Sequence, residues 1–129
     1  MTAFVLDASA LLALLLAEPG AERVKAELDG SVMTTVNLAE VVSHYAKLGA
    51  ERSHIEALLR PLPIQWAAVD AALSYEAGML RPLTVEGGLS LGDRYCLALA
   101  KQEDRPALTA ERRWTTIAEA ADVVVEMIR

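Results

Sequence analysis

Residues 3–17 have the sequence AFVLDASALLALLLA, which contains the pattern that decides the fold. The first four of them are uniformly apolar and predict a strand over residues 3–6 that is buried on both sides. Residues 9–17 are apolar all round and predict a buried helix. Asp7 stands between the two elements, where a polar residue commonly begins a helix. A buried strand followed directly by a buried helix predicts a parallel sheet covered by helices.

The same alternation of strands and helices continues along the rest of the chain. Further strands are predicted over residues 31–35, 64–69, 106–109 and 123–127. Helices are predicted over residues 21–28, 37–48, 52–60, 70–80, 92–103 and 115–121, and a loop with Pro82 and Gly87-Gly88 over residues 81–91. We therefore expect one α/β domain over residues 1–129, a three-layer α/β/α sandwich with a central parallel sheet of about five strands.

Composition limits the class of protein. Of the 129 residues 53% are hydrophobic, which is enough for a core and excludes a disordered protein. The single cysteine, Cys96, excludes an internal disulfide and a cysteine-based metal cage, and it favours a cytoplasmic location. The apolar run over residues 10–17 is shorter than the ~20 residues of a membrane span, so no membrane association is expected.

The charge of the chain is acidic. With 18 acidic and 12 basic side chains the formal net charge is −6. Proteins that bind nucleic acid mainly by neutralising phosphates are usually basic, so a broad non-specific binder is disfavoured. Bound divalent cations would reverse the sign locally, which leaves a metal-dependent nuclease open.

Four acids fall at equivalent places relative to the predicted strands. Asp7 follows the first strand, and Glu40 lies in the first turn of the helix after the second. Asp93 lies in the first turn of its helix, and Glu111 comes two residues after Thr109, the end of the fourth strand. Because the carboxyl ends of parallel strands share one edge of the sheet, we expect these four side chains to converge there.

Converging carboxylates repel one another unless a cation lies among them. Their hard oxygen atoms suit Mg²⁺ or Mn²⁺ better than Zn²⁺, since neither His44 nor His54 neighbours the acids. Such an ion lowers the pKa of bound water and polarises a phosphoryl oxygen, so a phosphodiester would be hydrolysed without a protein nucleophile. The sequence has no Gly-x-Ser-x-Gly motif to supply one.

Each acid also has a purely structural interpretation. Asp7 could cap the helix that follows it, and Asp93 stands three residues after Ser90, the spacing of a capping box. Glu40 could be a solvated helix carboxylate, and Glu111 a loop acid beside two arginines. Only the position of all four acids at one sheet edge favours a site.

Two other functions stay open on the same residues. Asp7 could be the nucleophile of a phosphoryl-transfer hydrolase, although such enzymes normally have a second Asp two residues later, where this chain has Ser9. The other is a catalytically silent module that uses the fold only to hold a partner. Intact acids at all four positions disfavour that second alternative.

Four segments of the chain resemble the motifs of PIN domains, especially those of the VapC-type toxins of bacterial toxin–antitoxin pairs. The segments are FVLDASALLA (residues 4–13), TTVNLAEV (34–41), LSLGDRYCLALA (89–100) and LTAERRW (108–114). The similarity extends over nearly the whole chain in the family's order and spacing, and it implies a PIN-like fold.

The resemblance also implies which residues bind metal. The family's metal-binding acids match Asp7, Glu40 and Asp93 closely. The match at Glu111 is less close, because the family more often has Asp at this position and the longer side chain could reach the metal through water. Mg²⁺ or Mn²⁺ is the cofactor that the resemblance implies.

Supporting residues and partners follow from the same resemblance. Ser9, Asn37 and Thr109 match small polar positions that would support the metal ligands. The activity implied is that of an endoribonuclease acting on structured RNA such as tRNA or rRNA. The implied partners are a second copy of the chain and a VapB-type antitoxin, encoded alongside, whose C-terminal segment would cover the active-site groove.

Several arginines near the proposed ligands are candidates for contacts with RNA phosphates, because a guanidinium holds phosphate with a fork of donors. They are Arg81, Arg94, Arg112 and Arg113. Each has the alternative of a surface arginine paired with local acids. Trp114 could stack on a base, but core packing is the better interpretation of a lone Trp after a strand.

Overall fold

The computed structural model describes residues 3–85 and 88–129. Five parallel strands form one sheet in the order β3-β2-β1-β4-β5. The strands are β1 (Val5–Leu6), β2 (Ser31–Thr34), β3 (Ile64–Ala67), β4 (Ala107–Thr109) and β5 (Val125–Met127). The α/β fold with a central parallel sheet, predicted from the uniformly apolar strands, is therefore confirmed.

Helices make every connection between consecutive strands, as parallel pairing requires. They are α1 (Ala8–Leu15), α2 (Ala21–Glu27), α3 (Thr35–Lys47), α4 (Arg52–Leu59), α5 (Ala71–Met79), α6 (Arg81–Thr84), α7 (Leu91–Glu103), a 3-10 helix (Arg112–Thr116) and α8 (Ala118–Ala121). None of the helices in the described ranges combines the length and apolar character needed to cross a bilayer.

Successive residues of each central strand face opposite sides of the sheet, which produces two cores. Val5 lies in the core formed with α5 and α7, whereas Leu6 lies in the core formed with α1, α3 and α4. The same alternation separates neighbours in β2 and β4, namely Val32 from Met33 and Ala107 from Leu108. Because both faces are buried, both members of each pair are apolar, and the three predicted layers result.

Some element boundaries differ from the predicted ones. The first strand, predicted over residues 3–6, is assigned only to Val5–Leu6, although the Phe4 carbonyl oxygen still accepts a hydrogen bond from the Val32 amide at 2.9 Å. The helix predicted from residue 37 begins at Thr35, because the Thr34 side chain accepts from the Asn37 amide and caps the helix two residues earlier.

Two segments after α5 were predicted incorrectly in part. The predicted loop over residues 81–91 begins instead with the single turn α6, whose Pro82 lies in the first turn, where its missing N–H leaves no helical hydrogen bond unmade. Its predicted turn residue Gly87 lies outside the described residues. The helix predicted over residues 115–121 is divided at Ile117 into the 3-10 helix and α8.

Candidate active site

Asp7 lies at the carboxyl end of β1 with 2% of its surface exposed. Its carboxylate accepts hydrogen bonds from the Ala10 amide at 2.9 Å, the Ser9 hydroxyl at 2.8 Å and the Thr109 hydroxyl at 2.8 Å. The Ala10 contact makes Asp7 the N-cap of α1, so the structural interpretation of this residue is geometrically correct. The contact with Thr109, at the end of β4, is more than a cap requires.

Burial raises the pKa of Asp7 to about 7. The hydrogen bonds from Ala10, Thr109 and Ser9 lower it, and the nearby charge of Asp93 raises it further by a smaller amount. A carboxyl group with this pKa is partly protonated at neutral pH, because its ionised form lacks a compensating positive charge. A positive charge close to the Asp7 carboxylate would lower this pKa by favouring the ionised form.

The hydroxyls of Ser9 and Thr109 connect Asp7 to the backbone after β4. Ser9 Oγ accepts a hydrogen bond from the Ala110 amide at 3.1 Å, and Thr109 Oγ1 accepts one from the Glu111 amide at 2.9 Å. Both hydroxyls also donate to Asp7. The position of the Asp7 carboxylate is thus coupled to that of the chain leading to Glu111.

Glu40 is half-buried on α3, and Asn37 orients it. Asn37 Nδ2 donates to Glu40 Oε1 at 2.7 Å and to the Gly92 carbonyl oxygen at 3.1 Å, while its Oδ1 accepts from the Thr34 hydroxyl at 2.6 Å. A Cβ atom on Gly92 would overlap the Glu40 carboxylate. Burial raises the pKa of Glu40; the Asn37 hydrogen bond lowers it, and the Asp93 charge raises it.

Asp93 completes a capping box at the start of α7. Its Oδ2 accepts from the Ser90 amide at 2.9 Å, and the Ser90 hydroxyl accepts from the Asp93 amide at 3.2 Å. Burial raises the pKa of Asp93, and the interactions of its carboxylate with the backbone amide and the hydroxyl of Ser90 lower it. The charge of Glu111 raises it and that of Arg113 lowers it. The predicted capping box therefore forms, and Asp93 still lies close enough to Glu111 for the charge of Glu111 to affect its pKa.

Glu111 follows β4 and precedes the 3-10 helix, with 38% of its side chain exposed. Its Oε2 lies 3.3 Å from Arg113 Nη2. The structure therefore brings the four predicted acids to one edge of the sheet, although they belong to four separate segments of the chain. Asp93 influences the pKa of both Asp7 and Glu40, and Glu111 influences that of Asp93.

These acids do not form a finished coordination shell. Within residues 3–85 and 88–129, no three Asp, Glu, His or Cys side chains are arranged to hold a metal ion. Each acid instead contacts a donor of the protein: Asp93 contacts the Ser90 amide, Glu40 contacts Asn37, and Glu111 contacts Arg113. Side-chain rotations would be needed before several carboxylates faced one ion.

Comparison with known proteins identifies the family. The family model described as PIN domain matches residues 4–120. The chain belongs to the PIN-domain family. The resemblance predicted from the four sequence motifs is thereby confirmed. No curated protein matches the sequence significantly.

Solved structures share the fold of this PIN domain over nearly its full length. A chain of a toxin–antitoxin complex from Klebsiella pneumoniae is 18% identical with a TM-score of 0.73, and 98% of each chain is covered. A chain of DNA-bound VapBC from Salmonella typhimurium is 17% identical with a TM-score of 0.74 and complete coverage of both chains, 100%. A chain of VapBC2 from Rickettsia felis, bound to a promoter DNA fragment, is 15% identical with a TM-score of 0.68; 96% of this PIN domain and 97% of that chain are covered.

The four predicted RNA-binding arginines of the PIN domain have different surroundings. Arg81 is exposed at the start of α6, and Arg112 donates to the Arg129 carbonyl oxygen at 3.2 Å. Arg94 is half-buried, and its Nε has no hydrogen-bond partner among the described residues. Arg113 contacts both Glu111 and the Gly88 carbonyl oxygen. The alternative of pairing with a local acid therefore applies to Arg113.

Trp114 is completely buried in the core beside α7, so core packing is its role, and stacking on a base is not available to it. Cys96 is also fully buried, below the acids. Burial, followed by the charges of Asp7, Asp93 and Glu40, raises the pKa of the Cys96 thiol well above its ordinary value. The buried thiol therefore stays protonated at neutral pH.

Sequence reasoning did not identify two residues that shape this part of the PIN domain. Thr34 caps α3 and also donates to Asn37, and Gly92 leaves the space that the Glu40 carboxylate occupies. A signal was present for Thr34, which stands three residues before Asn37 at capping distance. For Gly92 the signal is only the absence of a side chain directly before Asp93.

Proposed function

We propose that this PIN domain is a Mg²⁺- or Mn²⁺-dependent endoribonuclease that hydrolyses phosphodiester bonds in RNA and acts as the toxin of a toxin–antitoxin pair. The main support is the meeting of Asp7, Glu40 and Asp93, from three separate segments, at the carboxyl edge of the sheet. All three have a raised pKa, and Asp93 contributes to the shift of the other two. A capping or solvation role for each acid alone does not explain why the charge of Asp93 reaches the other two acids.

The chemistry of the donors fits a hard divalent cation. Every candidate ligand is a carboxylate oxygen, and the nearest thiol, Cys96, is buried and protonated. Oxygen donors without imidazole or thiolate favour Mg²⁺ or Mn²⁺. The missing side chain of Gly92 leaves room for the Glu40 carboxylate next to α7. We propose Asp7, Glu40 and Asp93 as ligands, with Glu111 as a fourth, direct or through water.

The residues of the chain have distinct parts in this proposal. The bound ion would activate a water molecule and polarise a phosphoryl oxygen. Ser9 and Thr109 hold the Asp7 carboxylate in a fixed orientation, and Asn37 does the same for Glu40. Such supporting hydrogen bonds hold the individual ligands near the site, and side-chain rotations would then bring several carboxylates to face one ion.

We propose RNA as the substrate because the motifs and the family point to a ribonuclease. The net charge of −6 disfavours extensive non-specific phosphate contacts. A few arginines near the acids would then hold the RNA backbone locally, and Arg81, Arg94 and Arg112 are our candidates. Recognition of a structured RNA of the tRNA or rRNA class, by shape and by single-stranded loops, is consistent with so few cations.

We propose a VapB-type antitoxin as a protein partner, because the three solved structures named above are VapBC or toxin–antitoxin complexes. A groove of about 480 Å³ between α3 and α4 offers a place for an apolar antitoxin segment. It is lined in part by Leu38, Val42, Ile55 and Trp66. Leu38 lies two residues before Glu40 on α3, so the two side chains lie on different faces of the helix, and the groove and the acids share α3 without sharing a face.

We also propose that two copies of the chain associate. Neighbouring elements α5 and α6 expose large apolar side chains, with Tyr75 76%, Met79 71% and Leu83 46% accessible. Exposed apolar side chains grouped in this way are typical of an interface. Size-exclusion chromatography with light scattering should give a dimer for the parent and a monomer for Met79→Lys. A monomeric parent at micromolar concentration would contradict this part of the proposal.

The activity is tested with purified, antitoxin-free protein and a total cellular RNA pool. The parent is expected to cut RNA with Mg²⁺ or Mn²⁺ and to lose activity in EDTA, whereas Asp93→Asn and Glu40→Gln are inactive with either ion. Asp70→Asn is the control, because Asp70 accepts a backbone hydrogen bond from the Leu73 amide at the start of α5, as Asp93 accepts one from the Ser90 amide at the start of α7. Loss of activity in Asp70→Asn, or activity retained in Asp93→Asn, would contradict the proposal.

The alternative with Asp7 as a phosphoryl-accepting nucleophile is weaker. The carboxylate is 2% exposed, and both of its oxygens accept hydrogen bonds from the protein. An attacking oxygen has to reach a phosphorus atom, which this burial opposes. Trapping of an acyl-phosphate on the protein would favour this alternative over metal-dependent hydrolysis.

A further inference from the structure

Arg113 lies beside the acids and contacts two separate segments of the chain. Its Nη2 lies 3.3 Å from Glu111 Oε2, and its Nη1 donates to the Gly88 carbonyl oxygen at 3.1 Å. Glu111 follows β4, whereas Gly88 precedes α7 and the Ser90–Asp93 capping box. The Arg113 guanidinium therefore joins the segment that contains Glu111 to the segment that contains Asp93.

The contact with Gly88 depends on the absence of a side chain there. The φ angle of Gly88 is +67°, in the left-handed region, and a Cβ atom would lie 3.0 Å from Arg113 Nη1. A glycine at this position lets the backbone turn so that its carbonyl oxygen meets the guanidinium. The guanidinium thus has two defined partners, the Glu111 carboxylate and the Gly88 carbonyl oxygen.

The charge of Arg113 also acts on the acids themselves. It lowers the pKa of Asp93, in opposition to Glu111, which raises it. A guanidinium stays protonated at every relevant pH, so Arg113 is a permanent positive charge beside the carboxylates. In the absence of a metal ion, that charge reduces the repulsion between Glu111 and Asp93.

We propose that Arg113 is a resident counter-ion, which pairs with Glu111 and competes with the divalent cation for the acids until the cation binds. This inference rests on the proposed metal-dependent function. It differs from the RNA contact expected for Arg113 from the sequence, because it assigns the guanidinium to the metal-free state of the protein. Arg113 is in this view a positioning residue and not a catalytic one.

The proposal predicts the direction in which Mn²⁺ affinity changes when Arg113 is neutralised, whereas an RNA contact predicts no such direction. A positive charge next to a doubly charged ion weakens its binding, so neutralising Arg113 should tighten binding of Mn²⁺ by about fivefold at low ionic strength. Arg113→Lys keeps the charge and should leave the affinity near that of the parent. If the Arg113 side chain turned away from the acids in solution and contacted only RNA, neither variant would change Mn²⁺ binding in the absence of RNA.

The experiment is a titration of the RNA-free protein with Mn²⁺, followed by calorimetry or by electron paramagnetic resonance of the free ion. The variants are Arg113→Gln, Arg113→Lys and, as matched control, Arg112→Gln. Arg112 is the adjacent exposed arginine, and its hydrogen bond goes to the Arg129 carbonyl oxygen and not to an acid. Thermal melts in EDTA check that each variant is folded. We expect the Arg113 variants to fold because the Arg113 side chain is 57% exposed.

Tighter Mn²⁺ binding by Arg113→Gln alone would support the inference. Equal or weaker binding by that variant would overturn it, and so would an equal gain in Arg112→Gln, since net charge would then be the cause. If the parent itself bound no Mn²⁺, the proposed metal-dependent function would fail together with this inference. Equal affinity of parent and Arg113→Gln would remove the inference and leave the proposed function standing.

Discussion

The side-chain amide of Asn37 donates a hydrogen bond to the carbonyl oxygen of Gly92 at 3.1 Å, which ties α3 to the first turn of α7. The same nitrogen donates to Glu40 Oε1 at 2.7 Å. Asn37 is fully buried, so the bond to Gly92 is shielded from solvent and the bond to the half-buried Glu40 is partly shielded. One side chain therefore sets where Glu40 lies relative to the segment that contains Asp93.

Asn37→Ala should weaken both the fold and the activity. It removes the hydrogen bond to the Gly92 carbonyl and leaves the buried Thr34 hydroxyl without its acceptor, which typically costs about 1–3 kcal/mol of unfolding free energy. It also frees Glu40, and loss of such a supporting residue commonly lowers activity by roughly 10–100-fold. Urea unfolding and RNA cleavage measure the two effects separately.

Glu40→Gln is the matched variant for Asn37→Ala, because its amide oxygen can still accept the hydrogen bond from Asn37. It should lose cleavage activity while its unfolding free energy in EDTA stays equal to that of the parent or rises. If Glu40→Gln were as unstable as Asn37→Ala, then the charge of Glu40 would serve the fold, contrary to the proposed function.

Gly92→Ala tests the space beside Glu40. The added Cβ would displace the Glu40 carboxylate, a flexible group, so we expect stability to change by less than about 1 kcal/mol. Displacement of a ligand by about 1 Å is enough to lower activity by roughly 100-fold. In a Glu40→Ala background the same substitution should become stabilising by up to about 1 kcal/mol, since the helix propensity of Ala then acts without the clash.

The control for Gly92→Ala is Gly78→Ala on α5, where an added Cβ meets nothing within 4 Å. That variant should keep full activity and gain stability from helix propensity alone. If Gly92→Ala retained the cleavage rate of Gly78→Ala, the Glu40 carboxylate would not need its observed position.

The raised pKa of Asp7 predicts a dependence of stability on pH in metal-free buffer. The folded protein holds the Asp7 proton with a pKa of about 7, against 3.8 for an unperturbed Asp, so folding takes up a proton between these values. The contribution to stability is complete below about pH 4 and is lost as the pH rises to about 7. The loss is on the order of 4 kcal/mol at most.

Asp7→Asn isolates this contribution. Its unfolding free energy, measured in urea and EDTA from pH 4.5 to 8, should exceed that of the parent by an amount that grows with pH. Glu40 and Asp93 have pKa shifts of the same direction, so the variant retains part of the slope. A difference between parent and variant that is independent of pH would show that Asp7 is ionised in the folded protein throughout this range.

Thr109→Val should loosen Asp7 without changing the shape of the core. The hydroxyl donates to Asp7 at 2.8 Å and accepts from the Glu111 amide at 2.9 Å, and both contacts are lost in the nearly isosteric Val. The expected cost is about 1–3 kcal/mol, with reduced cleavage. Thr109→Ser keeps the hydroxyl and should retain activity; full activity in Thr109→Val together with loss in Thr109→Ser would assign the effect to the methyl group, which only Val keeps.

The sheet and its layers could be predicted because they follow from side chains that alternate between two buried faces. Val5 and Leu6 face opposite cores, and both are apolar for that reason. The four acids could be located relative to the strands because the carboxyl ends of parallel strands share an edge. For Asp7 and Asp93, the capping role and the position among the acids are both present in one structure.

The orientation of the acids could not be predicted in the same way. Whether Glu111 faces a metal ion or Arg113 depends on rotamers of two long, half-exposed side chains, which no pattern in the sequence determines. The turn α6 was missed because four residues containing Pro82 have too short a pattern to distinguish a helix from a loop. The role of Gly92 was missed because it depends on a neighbour distant in sequence, Glu40.

The central claim is that the acids at the sheet edge cut RNA, and sequencing of RNA 5′ ends after brief induction in cells tests it most directly. We expect new internal 5′ ends at a small number of positions in structured RNA with the parent and with Asp70→Asn, and none with Asp93→Asn. The same set of new ends with Asp93→Asn, or none with the antitoxin-free parent, would contradict the account.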